Sequence, residues 1–149
     1  KVAPFYGCHS LRPSSVFDPR GGERPGYLDV LIEAAGGEVL NYNGKDKCCG
    51  FHYMLTKEDD FLRMSGGHSF EAKSKGAEII TSPCTLCDMA LGAYQALSEK
   101  KLGKKIDLPE MSIQQLIGVS MGIPSKKLGL HKLHQNPVPA FEKNDVKTA

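Results

Sequence analysis

The chain has 149 residues, 40% hydrophobic and 24% charged, with 19 Lys and Arg against 17 Asp and Glu. That length suits one compact domain with a core of its own, and the near-balance of charge argues against a nucleic-acid surface. No apolar run approaches the roughly 18 residues that span a bilayer. The chain starts on Lys1 rather than Met, as a fragment or a processed product would, and its first residues read as a strand rather than a signal peptide.

Strand and helix patterns alternate along the sequence. Val2 to Tyr6 is a β-rich run ending at Gly7-Cys8, and residues 12–26, rich in Pro, Gly, Ser and Arg, read as a loop. Residues 27–35 carry apolar side chains at helical spacing, and Gly36-Gly37 supplies the stop. Residues 38–42 read as a second strand, followed by a loop that delivers Cys48-Cys49-Gly50. A helix is expected from after Thr56 to Lys75, with Asp59 in a weak capping box and Gly66-Gly67 as a possible break. Its candidate core contacts are Phe61, Leu62, Phe70 and Ala72.

Residues 77–81 form a third expected strand. Ser82-Pro83 resembles an N-cap with proline at the first helical position, opening a helix with Leu86, Ala90, Ala93 and Leu97 on one face. Residues 106–108 read as a fourth strand, and Ser112-Ile-Gln-Gln115 as a capping box on a helix through Met121. The polar, proline-containing segment 135–149 reads as a flexible tail behind a domain over 1–134. This order defines an α/β fold: a small parallel, Rossmann-like sheet with flanking helices. Functional loops in such folds follow the C-terminal ends of the strands.

All five cysteines obey that placement. Cys8 follows the first strand, the adjacent pair Cys48-Cys49 the second, and Cys84-Thr-Leu-Cys87 the third. An odd count of five, sparse for a disulfide scaffold, points instead to a thiolate site for a soft metal or iron–sulfur cluster in a reducing compartment. The start of a helix favours thiolate at Cys84 and Cys87, while Gly7 and Gly50 let backbone approach closely. Arg12, Lys45 and Lys47 are available to offset thiolate charge. A structural zinc ion needs four tetrahedral ligands. A vicinal pair chelates one ion awkwardly and a fifth thiol is redundant, so the spacing favours an iron–sulfur cluster over zinc. A Cys48–Cys49 disulfide would close a strained eight-membered ring. His9 and His52 flank the cysteines as ligands, proton donors or supporting residues. His68, His131 and His134 read as surface residues, and the five methionines as core filler.

Tyr6-Gly7-Cys8, Cys48-Cys49-Gly50 and Pro83-Cys84-x-x-Cys87 resemble the cysteine-rich CCG domain typified by the B-type subunit of heterodisulfide reductase. The resemblance runs from Val2 to about His134 and includes Arg12-Pro13, Gly76-Ala77, the segment 115–118 and the segment 128–130. Thr85 stands where the family's usual second proline falls. Family members carry two such domains, and this chain resembles the C-terminal copy. The resemblance implies a non-cubane iron–sulfur assembly held by Cys8, Cys48, Cys49, Cys84 and Cys87; some relatives hold zinc instead. It further implies a cytoplasmic oxidoreductase subunit, or one peripheral to a membrane through its partners. Such a subunit takes electrons from iron–sulfur or flavin subunits and acts on a thiol or disulfide. The alternative is a zinc-stabilised structural domain of an atypical succinate dehydrogenase, a fumarate reductase or a related complex.

Overall fold

The computed structural model describes residues 1–13, 16 and 26–148. Three short parallel strands lie in the order β1 (Val2–Pro4), β2 (Ile79–Ser82), β3 (Glu110–Ser112). Val2 stands opposite Ile79, and Ile80 opposite Glu110. Helices are α1 (Tyr27–Ala34), α2 (Glu58–Ser74), α3 (Thr85–Asp88), α4 (Gln95–Leu102), α5 (Ile113–Ser120) and α6 (Val138–Glu142). The expected α/β class with a parallel sheet is observed.

Strand side chains alternate between two cores, because successive Cβ atoms point to opposite faces. Ala3, Phe5 and Ile80 join Phe61, Leu62, Ala72 and Leu91 on one face. Val2, Tyr6 and Ile79 join Leu28, Ile32, Leu116, Val119, Leu130 and Phe141 on the other. Full burial of a side chain such as Ile80 or Phe61 contributes roughly 1.5–3 kcal/mol, so the sheet is held mainly by what covers it.

Several expectations shift for local reasons. The strand over residues 38–42 contracts to one parallel bridge, Val2 to Val39. The strand expected at 106–108 appears at Glu110–Ser112. Side chains of α4 occupy the earlier backbone: Gln95 bonds both the N–H and C=O of Leu108, and the Glu99 carboxylate accepts from the N–H groups of Ile106 and Asp107. Residues 14, 15 and 17–25 of the expected 12–26 loop lie outside the described residues.

Helix α2 starts at Glu58 with Lys57 as N-cap and no side-chain cap; Glu58, Asp59 and Asp60 complement its positive end instead. It runs unbroken through Gly66-Gly67. Gly66 lets α4 approach: a Cβ there would stand 2.6 Å from Ser98 Cβ.

The helix after β2 begins two residues later than expected, with Cys84 as N-cap. A π turn over Met89–Ala93 separates α3 from α4. That extra residue rotates the buried face onto Cys87, Leu91, Gln95 and Ser98, leaving Leu97 47% exposed. The capping box at Ser112 forms as expected, with Gln115 N–H donating to Ser112 Oγ at 3.3 Å and Ser112 N–H to Gln115 Oε1 at 3.0 Å.

Residues after His134, expected to be loose, include α6. Phe141 buries itself in the second core, and Lys143 Nζ lies 2.7 Å from Glu78 Oε1. The tail's apolar positions find a groove that no local pattern announces. Met111 is core as expected, whereas Met89 and Met121 are exposed.

Candidate metal centre

Three chain segments deliver the thiols to one edge of the sheet. Cys8 opens a tight turn (Cys8–Ser10) just after β1, entered through Gly7 at φ 69°, ψ 151°, a conformation open to glycine. Cys48-Cys49 ends at Gly50, which is left-handed at φ 81° and starts the turn Phe51–Tyr53. Cys84 and Cys87 occupy the N-cap and third position of α3.

The five thiols form one string. Cys8 Sγ lies 3.8 Å from Cys48 Sγ. Cys49 lies close enough to Cys48 and to Cys87, and Cys87 to Cys84, for each to perturb the titration of the next. The vicinal pair therefore sits in the middle and joins Cys8 to the C-x-x-C. All five are free thiols. Among the described residues, no three His, Cys, Asp or Glu side chains are set as the shell of a single metal ion. The donors are soft thiolates, the chemistry that suits a soft metal or an iron–sulfur cluster.

The thiols do not titrate alike. The hydrogen bond from Cys87 pulls Cys49 down to about 7 against the cost of burial. Cys87 is pushed up, first by that same hydrogen bond and then by burial. A helix start is expected to favour thiolate at Cys87, but the neighbouring Cys49 thiol has the larger effect and raises it. Burial, followed by the charge of Cys48, pushes Cys8 up. The lysines expected to offset this charge are engaged elsewhere: Lys45 with Asp29 at 3.6 Å and Lys47 with Asp46 at 3.5 Å.

Backbone donors and small residues complete the cradle. Gly50 N–H points at Cys48 Sγ, 3.4 Å away. A Cβ on Gly7 would lie 2.8 Å from Cys87 Sγ. Ser82 Oγ donates to Asp88 Oδ1 at 2.8 Å and accepts from Cys84 N–H at 3.1 Å, fixing the entry to α3. Behind Asp88 lies Glu110, 4% exposed. Burial and then the Asp88 charge hold its pKa well above the usual carboxylate range.

His68, expected at the surface, is half-buried. Its Nε2 lies 3.1 Å from the Cys48 carbonyl and its ring 5.5 Å from that of Phe5. Burial lowers its pKa. It follows Phe61 by seven residues, two helical turns, so the face of α2 could have revealed it. Nothing local pairs Asp88 with Glu110. His131 and His134 are exposed as expected, and His9 and His52 meet each other outside the thiol string.

An open cavity of about 430 Å³ flanks the site, lined by His9, Ser10, Tyr27, Pro83, Cys84 and Thr85. A larger one, about 710 Å³, lies at the opposite sheet edge around Lys1, Gly37, Glu78 and Phe141 and contains no cysteine. Of the two, the smaller cavity is the one lined by a cysteine, Cys84. No helix among the described residues is long and apolar enough to cross a membrane.

An α/β domain presenting five clustered thiols at one sheet edge defines the class. Residues 2–92 match the cysteine-rich domain family CCG, and the chain belongs to that family. It is 36% identical over 131 residues to the 8-methylmenaquinol:fumarate reductase membrane anchor subunit of Wolinella succinogenes, covering 88% of this chain and 46% of that protein. It is 30% identical over 145 residues to the B-type subunit of the ferredoxin:CoB-CoM heterodisulfide reductase of Methanosarcina mazei, covering 95% and 47% respectively. A protein of Archaeoglobus profundus, itself like the B-type heterodisulfide reductase subunit, is 27% identical over 131 residues, 85% of this chain and 44% of that protein. The chain thus spans less than half the length of each of these relatives.

Proposed function

We propose that this chain is the iron–sulfur, electron-transferring domain of a heterodisulfide reductase-like oxidoreductase subunit, with Cys8, Cys48, Cys49, Cys84 and Cys87 as ligands. The observation that carries this reading is the continuous string of five thiols with the vicinal pair at its centre. One zinc ion takes four ligands in a tetrahedron, whereas a five-membered string suits a non-cubane group with several irons.

Bound there, such a group supplies one-electron chemistry and a place for sulfur to coordinate. The chain's own residues position it. Gly7 keeps the backbone clear beside Cys87, Gly50 N–H supports the Cys48 sulfur, His68 steadies the Cys48 carbonyl, and the cavity beside Cys84 leaves an approach for a thiol or disulfide. Electrons would arrive from an iron–sulfur or flavin subunit of the same complex. The relatives, named as subunits of a fumarate reductase and of heterodisulfide reductases, support that assignment. In this reading the subunit works in the cytoplasm and meets any membrane through its partners.

Iron and acid-labile sulfide content of anaerobically purified protein, with Mössbauer spectra, tests the reading. Several irons per chain with sulfide are expected. A colourless protein holding one zinc and no iron would overturn it in favour of a zinc-stabilised structural domain.

A further inference from the structure

Two histidines meet beside the thiol string without belonging to it. His9 sits in the turn Cys8–Ser10 and His52 in the turn Phe51–Tyr53. Their Nε2 atoms lie 3.2 Å apart, their ring centroids are 5.1 Å apart, and both residues are exposed. We propose that His9 and His52 form a second metal site, a two-histidine clamp for a borderline divalent cation such as zinc, nickel or cobalt.

The geometry carries this assignment. Imidazole nitrogens bind zinc at about 2.0–2.1 Å. Two ligands on one edge of such a tetrahedron then stand roughly 3.3 Å apart, close to the separation observed. The two Nε2 atoms stand at hydrogen-bonding distance, and which of them donates depends on the tautomer of each ring. With both rings in the Nδ1–H tautomer, each Nε2 offers a lone pair, and a small rotation of the two exposed rings lets both bind a cation seated to one side of the line between them. Imidazole selects cations of this class over the hard cations that prefer oxygen. Two protein ligands leave the remaining positions to water or an incoming donor. A cation held there would tie the turn after Cys8 to the turn after Cys49 at the rim of the cavity that His9 lines.

The site uses no cysteine, and anaerobic cobalt(II) titration of the full metal-free chain separates the two. Cobalt at thiolates gives sulfur-to-cobalt charge-transfer absorption, whereas cobalt at imidazole and water gives only weak d–d bands. A second equivalent without new sulfur absorption is expected. His9→Gln and His52→Gln should each weaken that second equivalent at least tenfold while leaving the first unchanged, with circular dichroism reporting an intact fold. Equal binding of the second equivalent in both variants would overturn the proposal, as would no second equivalent at about 1 mM free cobalt. A chain whose cysteines are refilled with iron or zinc should take up one cobalt at the same histidines; refusal would also count against it.

Discussion

Gly7 and Cys87 are packed so closely that the smallest side chain will not fit between them. A Cβ on Gly7 would stand 2.8 Å from Cys87 Sγ, and Gly7 already holds a positive φ of 69°. Gly7→Ala therefore combines backbone strain with a push on a buried thiol. Destabilisation of about 1–3 kcal/mol is expected, together with loss of bound metal. Urea denaturation and metal analysis on the same preparation check both effects.

The order of thiols in the string ranks their substitutions. Cys49 is influenced by two neighbouring thiols, Cys48 and Cys87, whereas Cys84 stands at an end. Cys49→Ser is expected to lose most of the bound metal and sulfide, and Cys84→Ser less. Equal losses would show that position along the string does not govern retention.

The paired glycines of α2 should respond in opposite directions. At Gly66 a Cβ meets Ser98 Cβ at 2.6 Å and Leu102 Cδ1 at 2.8 Å, while at Gly67 it meets nothing within 4 Å. Gly66→Ala should cost about 1–3 kcal/mol through overpacking. Gly67→Ala should stabilise by roughly 0.5–1 kcal/mol, since alanine is the better helix former. Thermal melts of the two variants side by side check the contrast.

Glu110 makes stability depend on pH in a definite direction. Burial and the Asp88 charge raise its folded pKa above the ordinary value of 4.5. The folded state then binds more protons than the unfolded chain, so this group's contribution declines as pH rises from about 4.5 toward the raised value. Glu110→Gln should flatten that decline and gain on the wild type toward neutral pH. A wild-type unfolding free energy that rises with pH by the Glu110-dependent amount would contradict this sign.

Phe141 tests how firmly the C-terminal segment is attached. It is 7% exposed and packs in the core with Leu116 and Val119. Phe141→Ala is expected to cost about 3 kcal/mol, or roughly 6–12 °C in Tm for a chain of this size. A change below about 1 °C in calorimetry would mean that the segment does not hold the second core.

Elements with local causes were legible in the order of residues alone. Alternating apolar runs placed β1 and β2, the S-x-x-Q box opened α5, and Gly36 closed α1. The same alternation, through the rule that loops gather at strand C-terminal ends, brought Cys8, Cys48, Cys49, Cys84 and Cys87 to one edge. What depends on partners distant in the chain emerged only on folding. Gln95 and Glu99 moved β3 onward by bonding the backbone before it, and the π turn after Asp88 re-aimed the helix that follows it, burying Gln95 and Ser98 and turning Leu97 outward. The neighbouring Cys49 thiol also inverted the expectation for Cys87, because a nearby thiol outweighs a distributed helix field. His68 against Cys48, Glu110 behind Asp88 and His52 against His9 arise the same way: each joins residues at least 20 positions apart. Spacing names the donors, but only packing sets their order in space and the groups that surround them.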